Sequence, residues 1–155
     1  MPTRVLAFQT TTRCDDAHTP EIAVSPDSSS SERLARRWFA TVSRGAFDEL
    51  TELLHEDVEL VSKIRTGAVV RGRADVAHFI RDDVAPSLFD AAVDVYTPLD
   101  EEKVIAEGRL RWIDEERVIR DDPVVWALEF REGLLHRFVA VRSTLDAEMV
   151  LGVSR

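Results

Sequence analysis

Three polar side chains are the candidates for chemistry in this sequence: Ser62, His136 and Arg142. An imidazole titrates near neutral pH, so His136 could transfer a proton while Ser62 or Arg142 polarises or orients a substrate. Each also has a simpler use. The Ser62 hydroxyl could bond a neighbouring backbone group, His136 could lie at a rim, and Arg142 could form a surface salt bridge. The catalytic hypothesis therefore requires that the fold direct these side chains to one place.

The compact motifs of metal, phosphate and nucleophile chemistry are missing from the sequence. His55, His78 and His136 are far apart and form no His-x3-His or Glu-x-x-His pattern, so no metal site is expected. There is no glycine-rich phosphate loop and no Gly-x-Ser-x-Gly nucleophile elbow. Cys14 is the single cysteine, which excludes an internal disulfide and a zinc site built from cysteines. We therefore expect no cofactor.

The composition is that of one folded, acidic domain. The chain has 155 residues, of which 45% are apolar and 32% charged, and a formal charge of −9. Nucleic-acid binding needs a basic surface, so it is not expected. The apolar runs are far shorter than the about 20 residues that cross a bilayer, and no secretory h-region is visible. We expect a cytoplasmic protein without a membrane span.

The chain divides into a leader, a domain and a tail. Residues 1–30 contain threonine and serine runs without a sustained period, so they are expected to be a polar, flexible leader. Residues 31–150 carry the periodic apolar pattern of a folded domain, and residues 151–155 are a short tail.

The first half of the domain has helical patterns. Ser29 and Glu32 fit a capping box, and apolar residues then recur at helical spacing until Gly45. A second short helix is predicted from Phe47 to His55, and a third over about Ala74–Ala85 before Pro86.

The rest of the domain alternates with a period of two, which predicts strands. These cover Val58–Ile64, Asp90–Thr97, Val104–Ile113, Val124–Phe130 and Leu134–Ser143, with Asp114–Asp122 as a charged connection. The pattern predicts an α+β domain in which about three N-terminal helices pack on a strongly curved, mostly antiparallel sheet.

The order of these elements resembles the nuclear-transport-factor-two-like superfamily, and in particular its SnoaL-like and ketosteroid-isomerase-like members. The resemblance covers about residues 32–150. It rests on Gly45–Asp48, Leu53–Val58, Gly72–Val76, Glu107–Leu110 and the hairpin Phe130–Phe138. It implies a cone-shaped fold that encloses a deep apolar pocket, and a homodimer formed through the outer face of the sheet. That face would carry Glu107, Arg109, Arg111, Glu129 and Arg137.

Steroid isomerisation in this family needs a carboxylate base and two acidic hydrogen-bond donors. The position that matches the base holds Ser62, and the positions that match the donors hold Trp38 and Trp126. A lone hydroxyl cannot abstract a carbon-bound proton near neutral pH, and an indole N–H is a weak acid. The resemblance therefore does not imply isomerase activity.

Epoxide hydrolysis in the family needs an Arg-x-Asp pair and a second Asp. The matching positions here read Gly108-x-Leu110 and Ala140, so this activity is not expected either. The resemblance leaves three functions open. They are an apolar pocket for a hydrophobic or aromatic small molecule, a polyketide-type cyclase, dehydratase or hydrolase of unfamiliar mechanism, and a non-catalytic dimerisation module.

The expected pocket is lined by large apolar side chains and one hydroxyl: Trp38, Leu60, Ser62, Phe79, Leu110, Trp112, Trp126, Leu128 and Phe138. In the catalytic alternative His136 faces this pocket, because it alternates with Phe138 and Ala140. These rings could instead fill the interior and leave no cavity.

Overall fold

The computed structural model describes residues 29–64 and 68–153. The leader predicted for residues 1–30 lies outside this part except for its last two residues, and so do residues 154 and 155. No helix in the described ranges is long and apolar enough to cross a membrane.

Helix α1 spans Ser30–Ser43 and buries Ala35, Trp38 and Phe39 on its inner side. Half of the predicted capping box forms, since the Ser29 Oγ accepts a hydrogen bond from the Glu32 N–H at 3.2 Å. The Glu32 carboxylate instead pairs with Arg36 at 2.9 Å, an (i, i+4) contact on the exposed side of the helix.

The second helix is shorter than predicted. Helix α2 spans Phe47–Leu50, a 3-10 turn covers Thr51–Leu53, and strand β1 already begins at Leu54. Leu54 pairs with Leu135 in the sheet and is fully buried there. The leucine spacing therefore continues from the helix into the strand, which is why the pattern overestimated the helix.

Within residues 29–64 and 68–153, six strands form one sheet in the order β2-β1-β6-β5-β4-β3. They are β1 Leu54–Val61, β2 Val69–Arg71, β3 Leu88–Pro98, β4 Lys103–Ile113, β5 Ile119–Arg131 and β6 Leu134–Val141. Among these six described strands, only β1 and β6 pair in parallel. Helix α3 spans Arg73–Phe79 and continues as a π-helical turn, Ile80–Val84. The α+β class with a mostly antiparallel sheet is confirmed.

The charged connection predicted for Asp114–Asp122 is shorter in the structure, since its last four residues already belong to β5. Strand β5 begins at Ile119, which pairs with Ile113 across a tight turn. The Asp114 carboxylate closes this turn, because it accepts the backbone N–H groups of Glu116 and Val118, both at 2.9 Å. The acidic residues therefore lie at the exposed end of the β4–β5 hairpin.

A C-terminal helix was not predicted. Helix α4 spans Thr144–Val150, and the Ser143 Oγ caps it by accepting the Asp146 N–H at 3.1 Å. Ala147 and Leu151 pack against the outer face of the sheet, on a cluster of four buried side chains: Ile105, Val125, Ala127 and Val139. Because α4 has only seven residues, the apolar periodicity is too short to detect.

The main core fills the other face of the sheet. Side chains from α1, α3 and alternate positions of β1, β4, β5 and β6 meet there in one cluster. This arrangement places Trp38 and Phe39 of α1 opposite Trp126 of β5, which defines the interior of the cone.

Candidate functional site

The interior of the cone holds a cavity of about 60 Å³. Six of the nine predicted pocket residues line it: Trp38, Leu60, Ser62, Leu110, Trp126 and Phe138. The sequence prediction missed further lining residues, among them Phe39, Leu50, Lys63, Ile80, Val84 and Ala91. Most of the predicted residues that line the cavity lie on the sheet, and most of the residues that were not predicted lie on helices or in loops.

Aromatic rings occupy most of this interior. The Phe39 ring lies 4.8 Å from the Trp126 ring, and the Trp38 ring lies 5.7 Å from the Phe138 ring, both measured between centroids. A pocket for a drug-sized ligand has a volume of roughly 300–1,000 Å³. The interior cavity alone is therefore too small for such a ligand in this conformation.

A much larger groove, of about 890 Å³, lies between α1 and the edge strand β3. One wall carries Arg33, Arg36 and Arg37 of α1 together with Arg44, which directly follows this helix. The wall on β3 includes Ala92 and Tyr96. Phe39 and Ala91 line both the groove and the interior cavity, so these two side chains lie at their junction. This groove could not be predicted from the sequence, since exposed arginines on a helix usually indicate a solvated face.

The aromatic part of the groove is formed by Tyr96 and Phe39. Their rings meet edge to face at 6.3 Å, and the Arg36 guanidinium lies over the Tyr96 ring at 4.4 Å from its centroid. Burial raises the pKa of Tyr96 to about 12. The phenol therefore stays protonated at neutral pH and can donate a hydrogen bond.

The other end of the groove is partly neutralised. Arg44 forms an ion pair with Glu49 at 2.9 Å, and Glu52 and Asp90 add two more carboxylates to the lining. The groove is therefore polar at both ends and apolar at Phe39, Ala91 and the neighbouring Val93.

Ser62 lies where it was predicted, at the cavity wall just after β1. Its Oγ accepts the backbone N–H of Ile64 at 3.0 Å, which is the simpler use considered for this hydroxyl. The oxygen keeps acceptor and donor capacity, so Ser62 could still orient a ligand.

Three other predicted pocket residues do not line the cavity. Phe79 and Leu128 are buried in the core around it. Trp112 lines a separate cleft of about 350 Å³, together with Lys63 and the acidic residues of the β4–β5 turn.

His136 does not lie where the catalytic alternative requires it. The β5–β6 pairing shifts from Glu129–Arg137 to Phe130–Leu135, so His136 is the extra residue of a bulge. Because the bulge changes the alternation, Leu135 joins the main core and the imidazole lines neither the cavity nor the groove. The predicted orientation of His136 is therefore wrong.

The His136 ring instead packs against His55, with 5.3 Å between centroids and 88° between planes. The Nδ1 of His136 is buried and has no hydrogen-bond partner in the described structure. Burial lowers the pKa of His136, and the nearby Arg131 lowers it further. His55 is the second residue of β1 instead of the end of a helix, and its Nδ1 accepts the Asp57 N–H at 3.0 Å.

Arg142 is exposed just beyond the end of β6 and lines neither the cavity nor the groove. Ser62, His136 and Arg142 therefore do not converge on one site. The proton-transfer hypothesis required these three side chains to face one site, and the structure does not place them so.

The comparison with solved structures identifies the fold. A Δ5-3-ketosteroid isomerase from a Mycobacterium species superposes with a TM-score of 0.62 at 16% identity, covering 77% of this chain and 97% of the isomerase. A Mycobacterium tuberculosis protein solved with estradiol-17β-hemisuccinate gives 0.64 at 14% identity, with 77% and 98% covered. A nuclear-transport-factor-two-like protein of unknown function from Burkholderia pseudomallei gives 0.61 at 19%, with 79% and 97% covered.

This chain has the nuclear-transport-factor-two-like fold. The resemblance proposed from the sequence is confirmed at this level. No protein-family model matches the sequence, and no curated protein matches it significantly. The fold supports many functions, so the function must be argued from the site.

Within this fold, the interior of the present chain carries little acid–base chemistry. The described residues that line the 60 Å³ cavity contribute a hydroxyl from Ser62 and an amine from Lys63, but no carboxylate or imidazole. Trp38 and Trp126 both lie at this cavity wall. The arrangement provides apolar contact and orientation more readily than proton abstraction.

Proposed function

We propose that this protein binds a hydrophobic or aromatic small molecule and performs neither steroid isomerisation nor epoxide hydrolysis. The observation that carries the proposal is the junction at Phe39 and Ala91, where the large groove adjoins the interior cavity. A ligand lies in the groove and extends toward the cavity when the Phe39 side chain changes rotamer.

The driving force is burial of apolar surface. Each Å² of apolar area removed from water contributes roughly 25 cal/mol, less the cost of ordering the ligand. Phe39, Ala91 and Val93 supply this surface where the groove meets the core. The edge-to-face contact of Phe39 and Tyr96 favours a flat, ring-containing ligand.

Relatives of the fold support the same class of ligand. One is named as an isomerase of ketosteroids, and another was solved with an estradiol ester. We therefore propose polycyclic or aromatic ligands for this chain. The lack of a carboxylate among the described cavity-lining residues supports binding without the isomerase reaction.

The test uses N-phenyl-1-naphthylamine, a neutral two-ring fluorophore whose emission rises when it leaves water. We expect saturable binding to the wild-type protein and roughly tenfold weaker binding to Ala92→Phe, which narrows the groove. Val95→Phe is the matched control, because Val95 lies on the same strand, is 48% exposed and does not line the groove. The absence of saturable binding to the wild type would overturn the proposal.

We further propose a homodimer formed through the outer face of the sheet. Helix α4 covers part of this face, and Arg137 donates to the Val150 carbonyl oxygen at 2.7 Å. The area that remains carries exposed Arg109 and Arg111 on β4, and Arg109 pairs with Asp121 at 3.1 Å. A cytoplasmic location of the protein remains an expectation from the sequence.

Sedimentation at low micromolar concentration tests the dimer. We expect a dimer for the wild type and a shift toward monomer for Arg109→Glu, which introduces like charges near a two-fold axis. A wild-type protein that stays strictly monomeric would contradict this arrangement.

A further inference from the structure

We infer that the ligand of the groove is an organic anion, with its aromatic body over Phe39 and Tyr96 and its anionic group at the arginines of α1. The inference rests on the proposed binding function and adds the charge of the ligand to it. Its starting point is the contrast between a chain of formal charge −9 and a groove with four arginines on one wall.

Helical geometry explains how these arginines share a wall. Arg33, Arg37 and Arg44 are separated by four and seven residues, which correspond to about one and two turns of α-helix. Ala40 completes the same stripe and also lines the groove. Side chains at this spacing project from one side of α1, here the side toward β3.

The ion pairs of these arginines indicate which guanidinium group can bind the anionic group of a ligand. Arg36 pairs with Glu32 and Arg44 pairs with Glu49, each at 2.9 Å. The Arg33 Nη2 donates to the Ser30 Oγ at 3.3 Å. The Arg37 guanidinium lines the groove and has no ion-pair partner among residues 29–64 and 68–153. Arg37 is therefore the cation that we assign to the ligand.

The neighbouring side chains suit an aromatic anion. The Arg36 guanidinium is already stacked on Tyr96, so the ring face and the cation form one continuous surface. Phe39 continues that surface toward the core. A guanidinium offers paired N–H donors that match a carboxylate or a sulfonate.

The acidic end of the groove fixes the orientation. Glu49, Glu52 and Asp90 line the groove together with Arg44, whereas Tyr96 and Arg36 are in contact at the other end of the lining. An anionic group is repelled by the carboxylates and attracted by Arg37. The ligand therefore binds with its anionic group at Arg37, near the middle of α1, and away from the carboxylates of Glu49, Glu52 and Asp90.

The experiment compares two probes that differ by one charged group. The first, 8-anilinonaphthalene-1-sulfonate, is N-phenyl-1-naphthylamine with an added sulfonate, and both report binding by fluorescence. We expect the wild type to bind the sulfonate at least about fivefold more tightly than the neutral probe at low ionic strength. This preference should shrink as the salt concentration rises from about 20 mM to about 500 mM.

Arg37→Gln should remove most of the preference for the sulfonate, because it should weaken binding of the sulfonate much more than binding of the neutral probe. Arg81→Gln is the matched control, because this exposed arginine of the π-helical turn does not line the groove. The unfolding temperature of each variant is measured in parallel, since a loosened core binds the sulfonate probe non-specifically.

The outcomes separate the two proposals. If the wild type binds both probes equally well, or if Arg37→Gln weakens both alike, the anion inference is wrong and the binding function stands. If the wild type binds neither probe, the binding function itself is wrong. A preference that Arg37→Gln abolishes and Arg81→Gln preserves supports both.

Discussion

The Phe39 ring packs 4.8 Å from the Trp126 ring and lines both the groove and the interior cavity. One side chain thus contributes to the core and lies at the boundary of the proposed binding site. A rotation of Phe39 would join the two spaces. Phe39 lies on the buried side of helix α1, next to Trp38.

Phe39→Ala should join the groove and the cavity and destabilise the protein. Truncating a buried phenylalanine typically costs about 3–5 kcal/mol, because the cavity that it leaves is only partly refilled. Tryptophan emission should also shift to longer wavelength, since water gains access to Trp126. Urea unfolding followed by fluorescence measures both effects.

Phe89→Ala is the control for this change, because the Phe89 ring is 54% exposed on the same sheet. It should cost less than about 1 kcal/mol and leave the tryptophan emission unchanged. If both variants lose the same unfolding free energy, Phe39 contributes no more to stability than the exposed Phe89 does.

The bulge at His136 makes stability dependent on pH. Burial and then Arg131 lower the pKa of His136 below its ordinary 6.5, and Glu129, His55 and Arg137 also act on it. The folded protein thus binds this proton less readily than the unfolded chain does. The stabilising contribution is complete above pH 6.5 and is lost as the pH falls through the folded-state pKa.

His136→Gln should therefore reduce the loss of unfolding free energy between about pH 7 and about pH 5. Chemical denaturation at several pH values measures the slope. His78→Gln, which exchanges an imidazole that is exposed on α3, controls for the substitution itself. If the unfolding free energy of His136→Gln falls with pH as steeply as that of the wild type, His136 is not the group that causes the pH dependence.

Apolar periodicity was sufficient to predict most of the fold. The stripe that contains Trp38 predicted α1, and alternation along β4 and β5 placed Leu110 and Trp126 on the inner face. Periodicity could not predict α4, whose contact with the sheet depends on Ala147 and Leu151. It also missed the start of β5, where the Asp114 side chain closes a turn within a charged segment.

The candidate site was less predictable because it depends on irregular features. A one-residue bulge moved His136 away from the interior, and such a shift leaves no mark on an alternating pattern. The groove depends on how α1 sits against β3, so the arginines of α1 looked like an ordinary exposed face. Tertiary placement, not local pattern, determines both.

Gly108→Ala should destabilise the sheet beside the groove. Gly108 pairs with Val93 at an irregular point of β3, and an added Cβ would lie 2.8 Å from the Val93 Cα. Backbone atoms cannot yield as a flexible side chain can, so β3 must move. We expect a loss of about 2 kcal/mol or more in denaturant unfolding, together with weaker binding of the neutral probe.

Glu107→Ala, at the preceding position, is the control for Gly108→Ala. It should change the unfolding free energy by less than about 1 kcal/mol. If Gly108→Ala is as stable as this control, the close approach of β3 and β4 at this point does not constrain the sheet.

Helix α4 shields the apolar patch on the outer face of the sheet, and Ala147→Glu should remove that shield. Ala147 is fully buried against this patch, so a carboxylate there would be desolvated without a partner and α4 would detach. The exposed patch should then cause concentration-dependent association beyond the wild-type state. Light scattering across a concentration series measures this association.

Met149→Glu is the control, because Met149 is 70% exposed on the same helix, and this variant should behave like the wild type. If Ala147→Glu shows no more association than Met149→Glu, α4 does not protect the patch that it covers from association beyond the wild-type state.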